Sequence, residues 1–179
     1  MKRVWIAAAV LLLSPGLAAA QGNSGKNANN TKPQSAIAAN LGGLGCSTNA
    51  GTDAFSVLGW SWGASNPADV TSGGGGGAGK VSVSDVNMTK PFDACSPALF
   101  GAVAVGKHFP TLTLTQSNSD GTVTTLALTD VIVSSWQASG SVNSEAATES
   151  VSFAFAKVCL TDGGSGSKFC YDIKANKTF

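Results

Sequence analysis

Charge is scarce in this sequence. Asp, Glu, Lys and Arg make up 12% of its 179 residues, about half the usual share of a soluble domain. The 11 Lys+Arg and 10 Asp+Glu are scattered, which leaves no block of one sign to attract nucleic acid or an anionic bilayer. Histidine occurs once, at His108, and no C-x-x-C spacing exists, so a zinc site lacks its usual ligand set and no cofactor is implied. No G-x-S-x-G elbow is present, so nothing singles out one of the many serines as a nucleophile paired with His108. Long apolar runs are missing too. The longest, an apolar core at residues 6–13 with Val4 and Trp5 ahead of it, falls short of the roughly 20 residues a membrane-spanning helix needs.

That short run has a different meaning. Lys2 and Arg3 precede it, and Ala18-Ala19-Ala20 follow it before Gln21. A charged start, an apolar middle and an A-x-A end are the parts of a secretory signal peptide, so residues 1–20 are expected to be removed on export. Without Lys2 and Arg3, Lys+Arg falls from 11 to 9 against 10 Asp+Glu, a formal charge of −1. Residues 21–34 are rich in Asn, Gly, Ser and Lys without apolar periodicity and read as a flexible leader. Residues 35–179 remain as one domain, exported and free of the membrane.

Export makes the four cysteines candidates for disulfides. One pairing follows from register. If residues 151–160 and 168–174 form a hairpin in which opposite numbers sum to 329, Cys159 faces Cys170 and Lys157 faces Asp172. The same register places Leu160 against Phe169, Val158 against Tyr171 and Ala156 against Ile173, so a disulfide, an ion pair and an apolar face arise together. By elimination Cys46 pairs with Cys95.

Period-two alternation recurs along the chain. Residues 35–41, 54–62, 81–84, 109–116, 122–136 and the final hairpin read as strands. In residues 54–62, Phe55 and Val57 occupy one parity and Leu58, Trp60 and Trp62 the other, which predicts a strand covered on both sides. In residues 122–136 the apolar phase slips at Thr124-Thr125 and near Asp130, predicting bulges or a bend. The chain is expected to turn at Thr89-Lys90-Pro91. One helix is well signalled: Ser96 as N-cap, Pro97 at its first position, Leu99, Phe100 and Val103 as its apolar stripe, and Gly106 as left-handed C-cap. The fold class is therefore mainly β, a β-barrel or two-sheet sandwich of about seven strands flanked by one α-helix.

Gly74-x-x-x-x-Gly79-Lys80 imitates a phosphate loop. It lacks the following hydroxyl residue and the helix whose N-terminus would hold phosphate, so it reads as part of a long surface loop over residues 63–79. Asp85, Asp93, Asp120, Asp130, Glu145 and Glu149 are dispersed over turns and strand ends and form no sequence motif for acid–base chemistry. Trp60, Trp62 and Trp136 could line a sugar-binding face, but aromatic residues in strands belong more often to a core or an interface.

Taken together, several pieces resemble the Hcp family, the tube protein of type VI secretion systems. They are the strand ending Trp62-Gly63 with Ser65-Asn66-Pro67, Gly79-Lys80, Thr89-Lys90, Asp93-x-x-Ser96-Pro97-x-Leu99, Gly106-Lys107-His108, Leu128-Thr129-Asp130-Val131 and Phe155-Ala156-Lys157. Leu44-Gly45-Cys46-Ser47 resembles the family's Gly-Glu-Ser loop, with Cys46 in the acidic position. The resemblance implies a β-barrel with one helix and a homohexameric ring that stacks into a hollow tube. It also implies effectors as cargo, spike and sheath components as partners, and no catalytic residues. The long loop then contributes to contacts between protomers or rings, and Leu58, Trp60, Trp62, Asn66, Pro67 and Lys80 are the expected interface residues. The signal peptide and the paired cysteines depart from the family pattern. An exported β-barrel binding or adhesion module is the alternative function, with a hydrolase behind it.

Overall fold

The computed structural model describes residues 35–66, 80–144 and 146–179. Residues 1–34, which hold the expected signal peptide and leader, lie outside the described residues, as do Pro67 and Glu145. The elements in order are β1 (Ala36–Leu41), β2 (Ser47–Thr48), β3 (Gly51–Thr52), β4 (Ala54–Val57), β5 (Gly59–Ser61), β6 (Ala64–Ser65), β7 (Ser82–Val83), β8 (Val86–Pro91), α1 (Ser96–Val105), β9 (His108–Ser117), β10 (Val123–Ser139), β11 (Thr148–Asp162), β12 (Lys168–Asp172) and β13 (Lys177–Thr178).

Antiparallel pairing closes the main sheet on itself. β1 pairs with β9, β9 with β10, β10 with β11, β11 with β8 and β8 with β5. β4 and β5 are two halves of one line of chain, and β4 returns the circuit to β1. The result is a β-barrel whose wall has no open edge around the circuit, with β12 and β13 continuing outward from the far end of β11.

The break between β4 and β5 explains the mixed parity of residues 54–62. Phe55 and Val57 point into the core from β4. At Leu58 the chain changes partner, its N–H donating to the Thr89 carbonyl at 2.8 Å, and thereafter Trp60 and Trp62 pack against the core. The strand is thus not covered on both sides. It switches which side faces inward.

A second change of phase crosses three strands at one level. Inward residues pass from Phe109 to Leu112 on β9, from Leu128 to Val131 on β10 and from Phe153 to Val158 on β11. The ladders on either side keep their register, Thr129 opposite Thr111 and Lys157, and Val131 opposite Phe109 and Phe155. Asp130 between them has φ 55°, so the slip expected there is a left-handed residue rather than an inserted one. No slip occurs at Thr124-Thr125. The β10–β11 irregularity falls instead between Val133 and Ser135.

The segment before the helix also differs from expectation. Thr89-Lys90-Pro91 is no turn, for β8 runs through it with Val86, Met88 and Lys90 all pointing inward. Cys95, not Ser96, is the N-cap and its side chain caps nothing. The Asp93 carboxylate instead accepts the Cys95 N–H at 2.8 Å, and Ser96 Oγ accepts the Asp93 N–H at 2.9 Å. Of the expected stripe Leu99 is buried and Val103 packs partly against the core, joined by buried Ala102, whereas Phe100 faces outward. Gly106 closes the helix with φ 62°, and the Lys107 N–H donates to the Ala102 carbonyl.

Candidate self-association site

The region beneath α1 is held from three sides. Cys46, in the loop after β1, is joined to Cys95 with their Cα atoms 5.2 Å apart. The Asp53 carboxylate accepts hydrogen bonds from the N–H groups of Gly43 at 3.0 Å, Gly45 at 2.6 Å and Cys46 at 3.3 Å. Those bonds to the charged form, from Gly45 first and then Gly43, hold its carboxyl below the usual value of 3.8. Lys107 Nζ donates to the Gly43 carbonyl at 2.7 Å from beyond the far end of the helix.

Below the helix N-terminus lies a buried ionic group that the sequence reading passed over. Lys90 Nζ lies 2.8 Å from Glu149 Oε1 and 2.9 Å from Asp93 Oδ1, and it donates to the Pro91 carbonyl. Both Lys90 and Glu149 side chains are 0% exposed. The second Glu149 oxygen accepts the Trp136 Nε1–H at 3.0 Å, so every strong polar group of the pair is used. This fixes Trp136 against the exposed rings of Phe92 and Phe100, whose centroids lie 6.5 and 5.3 Å away.

At the other end, β11 and β12 pair with Lys157 opposite Asp172 and Leu160 opposite Phe169, the register in which numbers sum to 329. Cys159 and Cys170 are bonded across it, Cα atoms 4.1 Å apart, and the Ile173 N–H reaches the Ala156 carbonyl. Lys157 Nζ is 3.2 Å from Asp172 Oδ2. Because β12 occupies the edge of β11, the short β6–β7 ladder stands apart, and a cleft of about 390 Å³ opens between them. Trp62, Asn66, Val81, Leu160, Phe169 and Tyr171 are among its lining residues.

The candidate interface residues are therefore dispersed. Leu58 is 60% exposed, and Asn66 and Lys80 are exposed. Trp60 is half-buried and donates its Nε1–H to Gln116 Oε1 at 2.8 Å. Trp62 tilts against Phe155 with centroids 6.4 Å apart. The cleft gathers Trp62 and Asn66, while Leu58 and Trp60 are not in its lining. Pro67 lies outside the described residues. The three Trp residues form no common face, since Trp136 belongs to the Glu149 group.

The scattered acids that lie within the described residues each have a local partner; Glu145 lies outside them. Asp85 accepts from Ser134 Oγ, Asp120 from the Thr122 N–H and hydroxyl, and Asp130 lies 3.1 Å from His108 Nδ1 with both side chains exposed. Hydrogen bonds from Thr122 hold the Asp120 carboxyl below its usual value. Among the described residues no cluster of His, Cys, Asp and Glu could hold a metal ion, and no helix is long and apolar enough to cross a membrane.

Comparison with known proteins gives a consistent answer. Residues 37–161 match the family described as type VI secretion system effector, Hcp. The chain is 41% identical over 110 residues to the protein hcp1 of Pseudomonas aeruginosa, covering 54% of this chain and 68% of that one. The crystal structure of Hcp1 from Salmonella typhimurium superposes with a TM-score of 0.69 at 28% identity, over 82% of this chain and 100% of that one. Hcp2 from Salmonella typhimurium superposes with a TM-score of 0.60 at 25% identity, over 79% and 98%.

Proposed function

The chain belongs to the Hcp family of type VI secretion system effectors, and from that premise we propose that it is a structural tube protein, not an enzyme. Copies associate into homohexameric rings, the rings stack into a hollow tube, and the tube carries secreted effectors and meets spike and sheath components of the secretion machine. The observation that carries this reading is the extent of the family match. Residues 37–161 run from β1 almost to the end of β11 and so include every strand of the closed barrel.

Leu58, Trp60, Trp62, Asn66, Pro67 and Lys80 are proposed to contribute to contacts between copies. Leu58 is the strongest of these, an exposed large apolar residue where the strand changes partner. Residues 1–20 are proposed to direct export, residues 21–34 to serve as a leader, and the domain to work in the periplasm or outside the cell. Two disulfides support this, since such bonds persist in oxidising compartments. Electron microscopy of the purified mature protein tests the reading: annular particles with six-fold symmetry are expected, and a field of isolated subunits would contradict it.

A further inference from the structure

Of the three tryptophans in the described residues, one is bonded differently from the others. The Trp60 Nε1–H is taken up by Gln116 and the Trp136 Nε1–H by Glu149. Trp62 Nε1 is buried and has no hydrogen-bond partner among the described residues. An indole N–H only donates, so what this group lacks is an acceptor. Burying a donor without one costs stability, and few such groups occur in folded proteins.

Trp62 also lines the cleft of about 390 Å³ beside β12. Small-molecule sites have volumes of that order and are mostly apolar, with a few placed polar groups. The cleft has this composition. Val81 and Val83 line it from the β6–β7 ladder, and Leu160 and Phe169 line it from β11 and β12. Leu160 is 39% and Phe169 62% exposed, so this wall has apolar area still to be covered. The polar members are Asn66, Asn176 and the Tyr171 hydroxyl, which donates to Asn176 Oδ1. None of the described lining residues is charged.

These walls discriminate between occupants. Residues 67–79, which join β6 to β7, offer Val70 as their one large apolar side chain, and residues 21–34 offer none. A second copy would bring exposed groups such as Leu58, Phe92, Phe100 or Val105. Those side chains would cover the walls but carry no acceptor for Trp62. A charged ligand would lose its hydration against a lining that holds no counter-charge.

We propose that the cleft binds a small neutral amphiphile, an aliphatic chain ending in an uncharged carbonyl such as an amide. The chain lies against Val83, Leu160 and Phe169, and the carbonyl oxygen accepts the Trp62 Nε1–H. Because Nε1 is shut off from solvent, the half-buried ring turns slightly to meet the ligand, and binding changes the indole emission. The site is complete within one copy and does not depend on the ring assembly proposed above.

Titration calorimetry of the mature oxidised protein with octanamide, octanoate and protonated octylamine tests this, since the three share a chain and differ in head-group charge. Trp62 and Asn66 are also among the proposed contacts between copies, so mass is measured first, and rings and subunits are titrated separately. Octanamide is expected to saturate a single site per copy, on the order of tenfold more tightly than either charged analogue, with a change in indole emission. Trp62→Phe keeps an aromatic ring but removes the donor, and is expected to weaken octanamide about tenfold. Leu160→Lys places a cation in the wall and is expected to turn the preference toward octanoate, an inversion that misfolding cannot produce. Val142→Lys, at a fully exposed position between β10 and β11, leaves all three affinities unchanged. Absence of saturable octanamide binding by rings and subunits alike overturns the proposal and leaves the ring reading standing. Equal binding of the three compounds overturns it too, as does binding that neither Trp62→Phe nor Leu160→Lys alters.

Discussion

Lys90 and Glu149 meet across β8 and β11 with Nζ 2.8 Å from Oε1, and neither side chain reaches solvent. Removing one partner leaves the other charged and buried. Lys90→Met or Glu149→Leu alone is expected to cost about 3–5 kcal/mol, and the double replacement much less than the sum, because the one charge that then loses its partner, Asp93, is partly exposed. Urea unfolding of the two single variants and the double variant measures this coupling. Additive losses would show that the pair does not act as a unit.

The two disulfides close loops of different length, with sequence separations of 49 and 11. On the chain-entropy account they contribute about 4 and about 3 kcal/mol respectively. Paired Cys46→Ala/Cys95→Ala and Cys159→Ala/Cys170→Ala proteins are therefore expected to unfold at lower denaturant, the first pair by more. Chemical unfolding under non-reducing conditions ranks them, and the reverse order would refute the loop-length argument.

Asp53 supplies a pH dependence of known sign. Its folded carboxyl is held below the ordinary 3.8, chiefly by the Gly45 and Gly43 N–H groups. The loop stability it confers is present above the unfolded value and is lost as pH falls through the lower folded value. Amide exchange at Gly43 and Gly45 is expected to accelerate only in strongly acidic solution. In Asp53→Asn protein that acid-dependent step should disappear.

The barrel was largely legible in the alternation of residues, because a strand with one buried face must repeat every second position. The β11–β12 register was legible for a stronger reason: a one-residue slip would have separated Lys157 from Asp172 and dispersed the Leu160–Phe169 and Val158–Tyr171 contacts together. Lys90 misled because a lysine followed by proline reads as a turn, and only the three-dimensional placement of Glu149 makes an inward lysine tolerable. Ser96 misled likewise: it is the first helical residue and not the cap, and its hydroxyl is turned back to accept the Asp93 N–H. At Leu58 the parity of the strand changes through a switch of partner strand, which no local pattern reports. The proposed contact residues were the least legible part. They are dispersed over the barrel surface, and no local pattern reports which of them a neighbouring copy would cover.

The mass of the mature oxidised protein, measured by chromatography coupled to light scattering, tests the central claim most directly. A hexamer or multiples of it are predicted, shifting toward monomer in Leu58→Arg protein, which places a charge in the proposed contact between copies. A parent protein that remains monomeric at high concentration would contradict the account.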